Sequence, residues 1–164
     1  MPIQQSDLKI YLSGGAANTN PAASLGGARS NTLAGSNLWD TVGSAEAAAG
    51  DTEYRCLYVR NEHASITWTG PKLWVNGNSD PDNLAYEVAA GSSAVNGTEQ
   101  TVADEGTAPT GVTFVAAVNK AGGVALPDLA PGQAKAFWFK RVADASLPGA
   151  NYTWALVVEG DTLP

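Results

Sequence analysis

Short runs in which apolar and polar residues alternate recur along this chain, and between residues 13 and 50 they stop. From Leu8 to Leu12, Leu8, Ile10 and Leu12 alternate with Lys9 and Tyr11, which predicts a first strand. Thr52 to Asn61 is the clearest strand signal. Tyr54, Cys56 and Tyr58 project to one side, and Glu53, Arg55, Leu57 and Val59 to the other, as a period of two requires. Ser65 to Thr69 predicts another strand, which Gly70-Pro71 is expected to break from Lys72 to Val75. Leu84 to Ala89, Val112 to Val118 and Tyr152 to Glu159 complete the series with Ala134 to Val142, which follows a turn at Ala130-Pro131-Gly132. In that run Phe137 and Phe139 share a face with Lys135 and Arg141, opposite Ala136 and Trp138. Seven or eight short strands separated by turn signals predict an all-β fold, an antiparallel β-sandwich of Ig-like or jelly-roll-like type.

The interrupted stretch has a different character. Residues 13–50 are small or polar apart from Leu25, Leu33, Leu38, Trp39 and Val42, with Gly14-Gly15 and Gly26-Gly27 as punctuation. Ser44 to Ala49 is Ala-rich and predicts a short helix ended by Gly50. A loop this long in a compact domain is normally functional or bound to a partner. Residues 1–50 therefore read as an N-terminal strand and extended assembly arm, and residues 51–164 as the sandwich. Leu25, Leu33, Leu38 and Trp39 are the expected anchors of that arm in neighbouring subunits. Tyr54, Leu57, Val59, Phe114, Phe137, Phe139, Leu156 and Val158 are expected in a core or subunit interface.

Composition narrows the function classes. A chain of 164 residues suits one domain with a core of its own. Nine basic against sixteen acidic residues give a net charge of −7, which disfavours a nucleic-acid partner, since phosphate binding needs clustered Lys and Arg. The single cysteine rules out an intramolecular disulfide and a Cys-rich zinc site. There is neither a run of 18 apolar residues nor a basic-then-apolar leader, so no membrane role is expected and synthesis in a cytoplasm is.

Candidate chemistry is sparse. His63 is the only histidine, it sits in a loop between strands, and no GxSxG or HExxH motif accompanies it, so it reads as a turn residue. Cys56 lies mid-strand between tyrosines and reads as a small core hydrophobe. Asn76 to Asn83 spaces oxygen-bearing side chains as a calcium loop does, but Pro81 stands where such a loop needs Gly, so a plain turn is expected. The carboxylate pairs Asp104-Glu105 and Asp80 with Asp82 lack an apolar setting that would raise a pKa for acid catalysis. No catalytic residue, metal ligand or cofactor is assigned. Five tryptophans remain, and Trp68 and Trp74, flanking Gly70-Pro71, are candidate interface or glycan-contact aromatics, with core packing the competing reading.

Several segments carry a resemblance: Asp7-Leu-Lys-Ile-Tyr-Leu-Ser-Gly-Gly15, Ser24-Leu-Gly-Gly27, Gly50-Asp-Thr-Glu-Tyr-Arg-Cys-Leu-Tyr58, Val95-Asn-Gly-Thr-Glu-Gln-Thr-Val102, Leu129-Ala-Pro-Gly-Gln133 and the closing Val158-Glu-Gly-Asp161. Together these resemble small virion structural proteins of tailed bacteriophages and prophages. The resemblance implies a non-enzymatic component that binds other capsid or tail subunits, and it carries over no catalytic residues. The expectation is thus a virion protein, homo-oligomeric with a trimer favoured, most simply an outer capsid decoration or cement protein. A tail or baseplate subunit is the same-class rival. A carbohydrate-binding host-attachment module is the rival from another class.

Overall fold

The computed structural model describes residues 3–77, 82–145 and 153–162. Two antiparallel sheets pack face to face as an all-β sandwich. Strands β1 (Leu8–Ser13), β2 (Arg29–Leu33), β3 (Asp51–Asn61), β5 (Leu84–Ala90) and β7 (Ala134–Ala143) form a five-stranded sheet in the order β2-β1-β3-β7-β5. Strands β4 (Trp68–Asn76), β6 (Val124–Ala125) and β8 (Ala155–Thr162) form a three-stranded sheet in the order β6-β4-β8. Helix α1 (Ser44–Ala49) lies just before β3, as its alanines and Gly50 predict; its N-terminus is closed by the Gly43 N–H donating to Glu46 Oε2 at 2.5 Å.

The alternation read from β3 and β7 places two cores on opposite faces of the larger sheet. Leu57, Val59, Phe137 and Phe139 face the smaller sheet and pack with Leu12, Leu73, Val75 and Val88. Tyr54, Cys56, Tyr58, Ala136 and Trp138 face outward and pack with Tyr11 and Val102, with Leu25, Val112 and Phe114 against them. The long connection from β5 to β6 and part of residues 13–28 cover this outer face. Residues 53–59 are consequently buried without interruption, although their side chains alternate in direction.

Three expectations need correction. Gly70-Pro71 does not end a strand: β4 runs through it, with a register shift against β8 between Thr69 and Lys72. Gly70 takes φ +57 there, and the Pro71 carbonyl accepts from the Leu126 N–H at 2.8 Å. Gly160 of β8 lies against this bulge, where a Cβ would sit 2.8 Å from the Thr69 carbonyl oxygen. Val112 to Val118 is not a ladder strand. Val115 exchanges hydrogen bonds with Val88 of the larger sheet, while the Ala117 carbonyl accepts from Val75 of the smaller one. A segment that crosses from one sheet to the other stays in register with neither.

The third correction concerns residues 13–50. Leu38 is buried and Trp39 half-buried in the core between the sheets, and Leu25 packs into the outer core. These three expected anchors are seated in the chain's own fold. Leu33 alone is exposed, at 51%. The stretch also contains β2, which its polar composition hides and which pairs with β1 at Tyr11–Leu33 and Ser13–Arg29. Residues 78–81, which include Asp80 and Pro81 of the expected Asn76–Asn83 turn, and Tyr152 lie outside the described residues.

Candidate functional site

Opposed charges on the inner faces of β3 and β7 converge at one end of the sandwich. Glu53 faces Arg141 across the ladder, and Arg55 follows two residues on along the same face. All three side chains are buried. Arg141 Nε donates to Glu53 Oε2 at 2.5 Å and Nη2 closes on the same oxygen. Arg141 also donates to the Asp40 carbonyl at 2.8 Å and to Asp40 Oδ1 at 2.9 Å. Arg55 Nη2 donates to Glu105 Oε2 at 2.5 Å and lies 3.7 Å from Glu53 Oε1. The Trp39 ring meets both guanidinium groups at 5.1 Å and packs on Phe139 at 5.3 Å. Burial raises Glu53 to about 7, against the pull of Arg141.

Oxygens of Asp40, Glu53 and Glu105 all lie within 4.8 Å of one another, a spacing a cation can bridge. Each carboxylate, however, already accepts from Arg55 or Arg141. The arrangement fixes segments rather than exposing a reactive atom: Asp40 and Trp39 are tied to β7, and Glu105 to β3.

A second polar cluster pins the outer-face connections. Glu99, only 3% exposed, accepts from Ser92 Oγ at 2.7 Å and from the Ser93 N–H at 2.9 Å. Burial alone would raise its pKa, but the hydrogen bonds from Ser92 and Ser93 outweigh it and hold the carboxyl at about 2. Lys135 Nζ donates to the Gly91 carbonyl at 2.9 Å and to the Ser93 carbonyl. Burial lowers its pKa, and the nearby Glu99 charge works against that. The Tyr58 hydroxyl donates toward the Gly27 carbonyl at 2.7 Å or the Gly97 carbonyl at 3.1 Å, and accepts from the Glu99 N–H at 3.0 Å.

The remaining sequence candidates are used internally. His63 Nδ1 accepts from the Ser65 and Ile66 N–H groups at 3.1 and 3.0 Å, so the ring shapes the turn into β4. Cys56 is fully buried and burial pushes its thiol up, away from the thiolate. Asp104 accepts from Thr107 Oγ1 at 2.8 Å. Trp68 is 1% and Trp74 7% exposed, which corrects their reading as interface or glycan-contact aromatics: both are buried within the chain's own fold.

Glu53, Arg55, Glu99, Lys135 and Arg141 were not singled out from the sequence as site residues. The signal was present for three of them, because Glu53 and Arg55 share a strand face with Leu57 and Val59, and Arg141 with Phe137 and Phe139; Lys135 shares that face but bonds the Gly91 and Ser93 carbonyls. Opposite charges on the core faces of two strands announce a buried ion pair between them. Asp40 and Glu99 sit in irregular segments and carry no such signal.

Surface features are of a different kind. An apolar cleft of about 370 Å³ opens between β1 and β8, lined by Ile10, Ala34, Leu38, Leu57, Trp154 and Leu156. Among the described residues no helix is long and apolar enough to cross a membrane. Comparison with protein-family models, with curated proteins and with solved structures finds no match.

Proposed function

We propose that the protein is a non-enzymatic structural subunit of a tailed-phage virion that binds other virion proteins, with outer capsid decoration as the leading placement. The observation that favours a structural role is the internal use, among the described residues, of the histidine, the cysteine and the buried carboxylates. Cys56 is sealed in a core, His63 caps a turn, and the Glu53 and Glu99 carboxylates are spent on Arg141, Arg55, Ser92 and Ser93. The virion assignment draws on the resemblance carried by the segments from Asp7 to Asp161. A net charge of −7 suits the outside of a particle better than a DNA-filled interior. With Trp68 and Trp74 buried, the carbohydrate-binding alternative loses the aromatic platform it required.

Quantitative mass spectrometry on gradient-purified particles from the source culture tests this reading. Hundreds of copies per particle are expected for a capsid decoration, and small multiples of three or six would move the protein to the tail or baseplate. Absence of the chain from the particles refutes the virion reading.

A further inference from the structure

The tripeptide Val-Asn-Gly occurs twice, as Val75-Asn76-Gly77 and as Val95-Asn96-Gly97. Both asparagines are exposed. An asparagine followed by glycine is prone to cyclise, because glycine has no Cβ to keep its amide nitrogen away from the side-chain carbonyl carbon. With the same residue on either side, the two sites start from similar intrinsic reactivity, and the fold decides between them.

One site is locked and the other is open. Asn96 is held in a left-handed conformation at φ +58; its N–H donates to the Ala134 carbonyl at 2.8 Å, and its Oδ1 accepts from the Ala134 N–H at 2.8 Å. The Gly97 N–H, whose nitrogen would have to reach the side chain, donates instead to the Ala94 carbonyl at 2.9 Å. The surroundings are tight, since a Cβ at Gly97 would sit 2.9 Å from that same oxygen. Asn76 is the last residue of β4 and pairs with Ala155, the first of β8, so it stands at the end of a ladder, where local opening costs least. Among the described residues no hydrogen bond holds its side chain or the Gly77 N–H. Gly77 turns at φ +68, with nothing within 4 Å of the place a Cβ would take.

We propose that Asn76 is a site of spontaneous deamidation in the folded protein and that Asn96 is protected from it. The Gly77 backbone nitrogen attacks Asn76 Cγ and gives up its proton; the Cγ–Nδ2 bond breaks and the amide leaves as ammonia. Water then opens the cyclic imide at either carbonyl, leaving aspartate or isoaspartate at position 76. Either product adds a negative charge to a chain that already carries −7, and isoaspartate also lengthens the backbone opposite Ala155. The end of the β4–β8 ladder thus acquires a mark of age, made by the chain's own backbone without an enzyme.

The full chain is kept in warm, mildly alkaline buffer, either folded or in denaturing urea, and sampled over weeks. Cleavage after Glu87 separates the two sites, and tandem mass spectrometry with isoaspartyl methyltransferase labelling measures conversion at each. Each site's folded rate is divided by its own rate in urea, which removes any difference in intrinsic reactivity. That ratio is expected to be at least about tenfold lower for Asn96, whose hydrogen bonds must first open. Asn76→Gln moves the amide one methylene further from the Gly77 nitrogen; it is expected to keep the wild-type melting temperature and to lose the methyl label at that position. Equal ratios for the two sites, a lower ratio at Asn76, or labelling that persists at position 76 in the Asn76→Gln chain overturns the proposal.

Discussion

Glu99→Gln removes a buried carboxylate whose ionised form the fold holds in place. The side chain is 3% exposed, and Ser92 Oγ and the Ser93 N–H bind the charged form at 2.7 and 2.9 Å. These bonds overcome the cost of burial and bring the carboxyl from 4.5 down to about 2. Each pKa unit corresponds to about 1.4 kcal/mol, so the shift is worth about 3 kcal/mol of stability near neutrality. The folded pKa lies below the unfolded one, so the unfolded chain binds the proton first. The contribution is complete above pH 4.5 and is lost as pH falls through 2.

Urea denaturation at stepped pH, from neutrality down to pH 2, compares wild type with the variant. Other carboxylates titrate in the same window, but they do so in both proteins, and the difference between the two curves isolates Glu99. The wild type should lead by about 3 kcal/mol above pH 4.5, and the lead should close on acidification. Parallel stability curves across that window would show that the ionised Glu99 is not preferred by the fold, and the reasoning would fail.

Glu53 carries the opposite sign: burial raises it from 4.5 to about 7, so its contribution is complete below pH 4.5 and is lost as pH rises through 7. Wild type should therefore gain stability relative to Glu53→Gln when pH is lowered from 7 to 4.5, a window separate from that of Glu99, and a constant difference in the same urea series refutes it. Trp39→Ala, which strips the ring from Phe139, Arg55 and Arg141, should cost about 3 kcal/mol in thermal or urea unfolding; a loss under about 1 kcal/mol would mean that residues 34–43 are held by other contacts. Gly26→Ala places a Cβ 2.7 Å from the Gln100 carbonyl carbon and 2.8 Å from Thr101 Cα at φ +106, and should cost about 3 kcal/mol or more. A near-wild-type melting temperature for that variant would show that the close approach of the two backbones is not required.

The sheets were legible where one rule governs a run of residues. In β3 and β7 the period of two assigned every side chain to its face, including the separation of Tyr54 from Leu57 into different cores. The rule failed at Gly70-Pro71 because a bulge absorbs a residue that cannot donate to the ladder, and local chemistry does not say whether a partner strand will tolerate one. It failed at Val112 to Val118 because alternation reports a segment's own pattern and not whether two sheets compete for its backbone. β2 escaped notice for the reverse reason. Arg29–Leu33 carries only one large apolar residue, Leu33, and its strand character comes from pairing with β1 at the edge of the sheet. The polar clusters were half legible, through charges placed on core faces. Asp40 and Glu99 enter them from irregular segments whose folding no periodicity describes.

The composition of residues 13–50 argued for order borrowed from neighbours, because so few apolar side chains offset little of the backbone ordering cost of about 1 to 2 kcal/mol per residue. That reasoning counts side-chain burial and leaves out the main chain. Here the main chain does much of the attaching. The Ser24 carbonyl accepts from the Cys56 N–H at 2.7 Å, Leu25 from Val102 at 2.9 Å, and Gly27 and Glu99 exchange bonds at 3.1 and 3.3 Å. Glycine makes this approach possible, since a side chain at Gly26 would collide with the Gln100 backbone. A segment poor in apolar residues but rich in glycine can thus be fixed by backbone contact where a strand already offers free partners, as β3 does beyond the reach of β1, which pairs it only from Leu57 to Asn61. Much of what composition assigned to neighbouring subunits is therefore met within the chain. Among the described residues, Leu33, Val115 and Val118 are the large apolar side chains that stay exposed, and β2 and β8 stand at sheet edges.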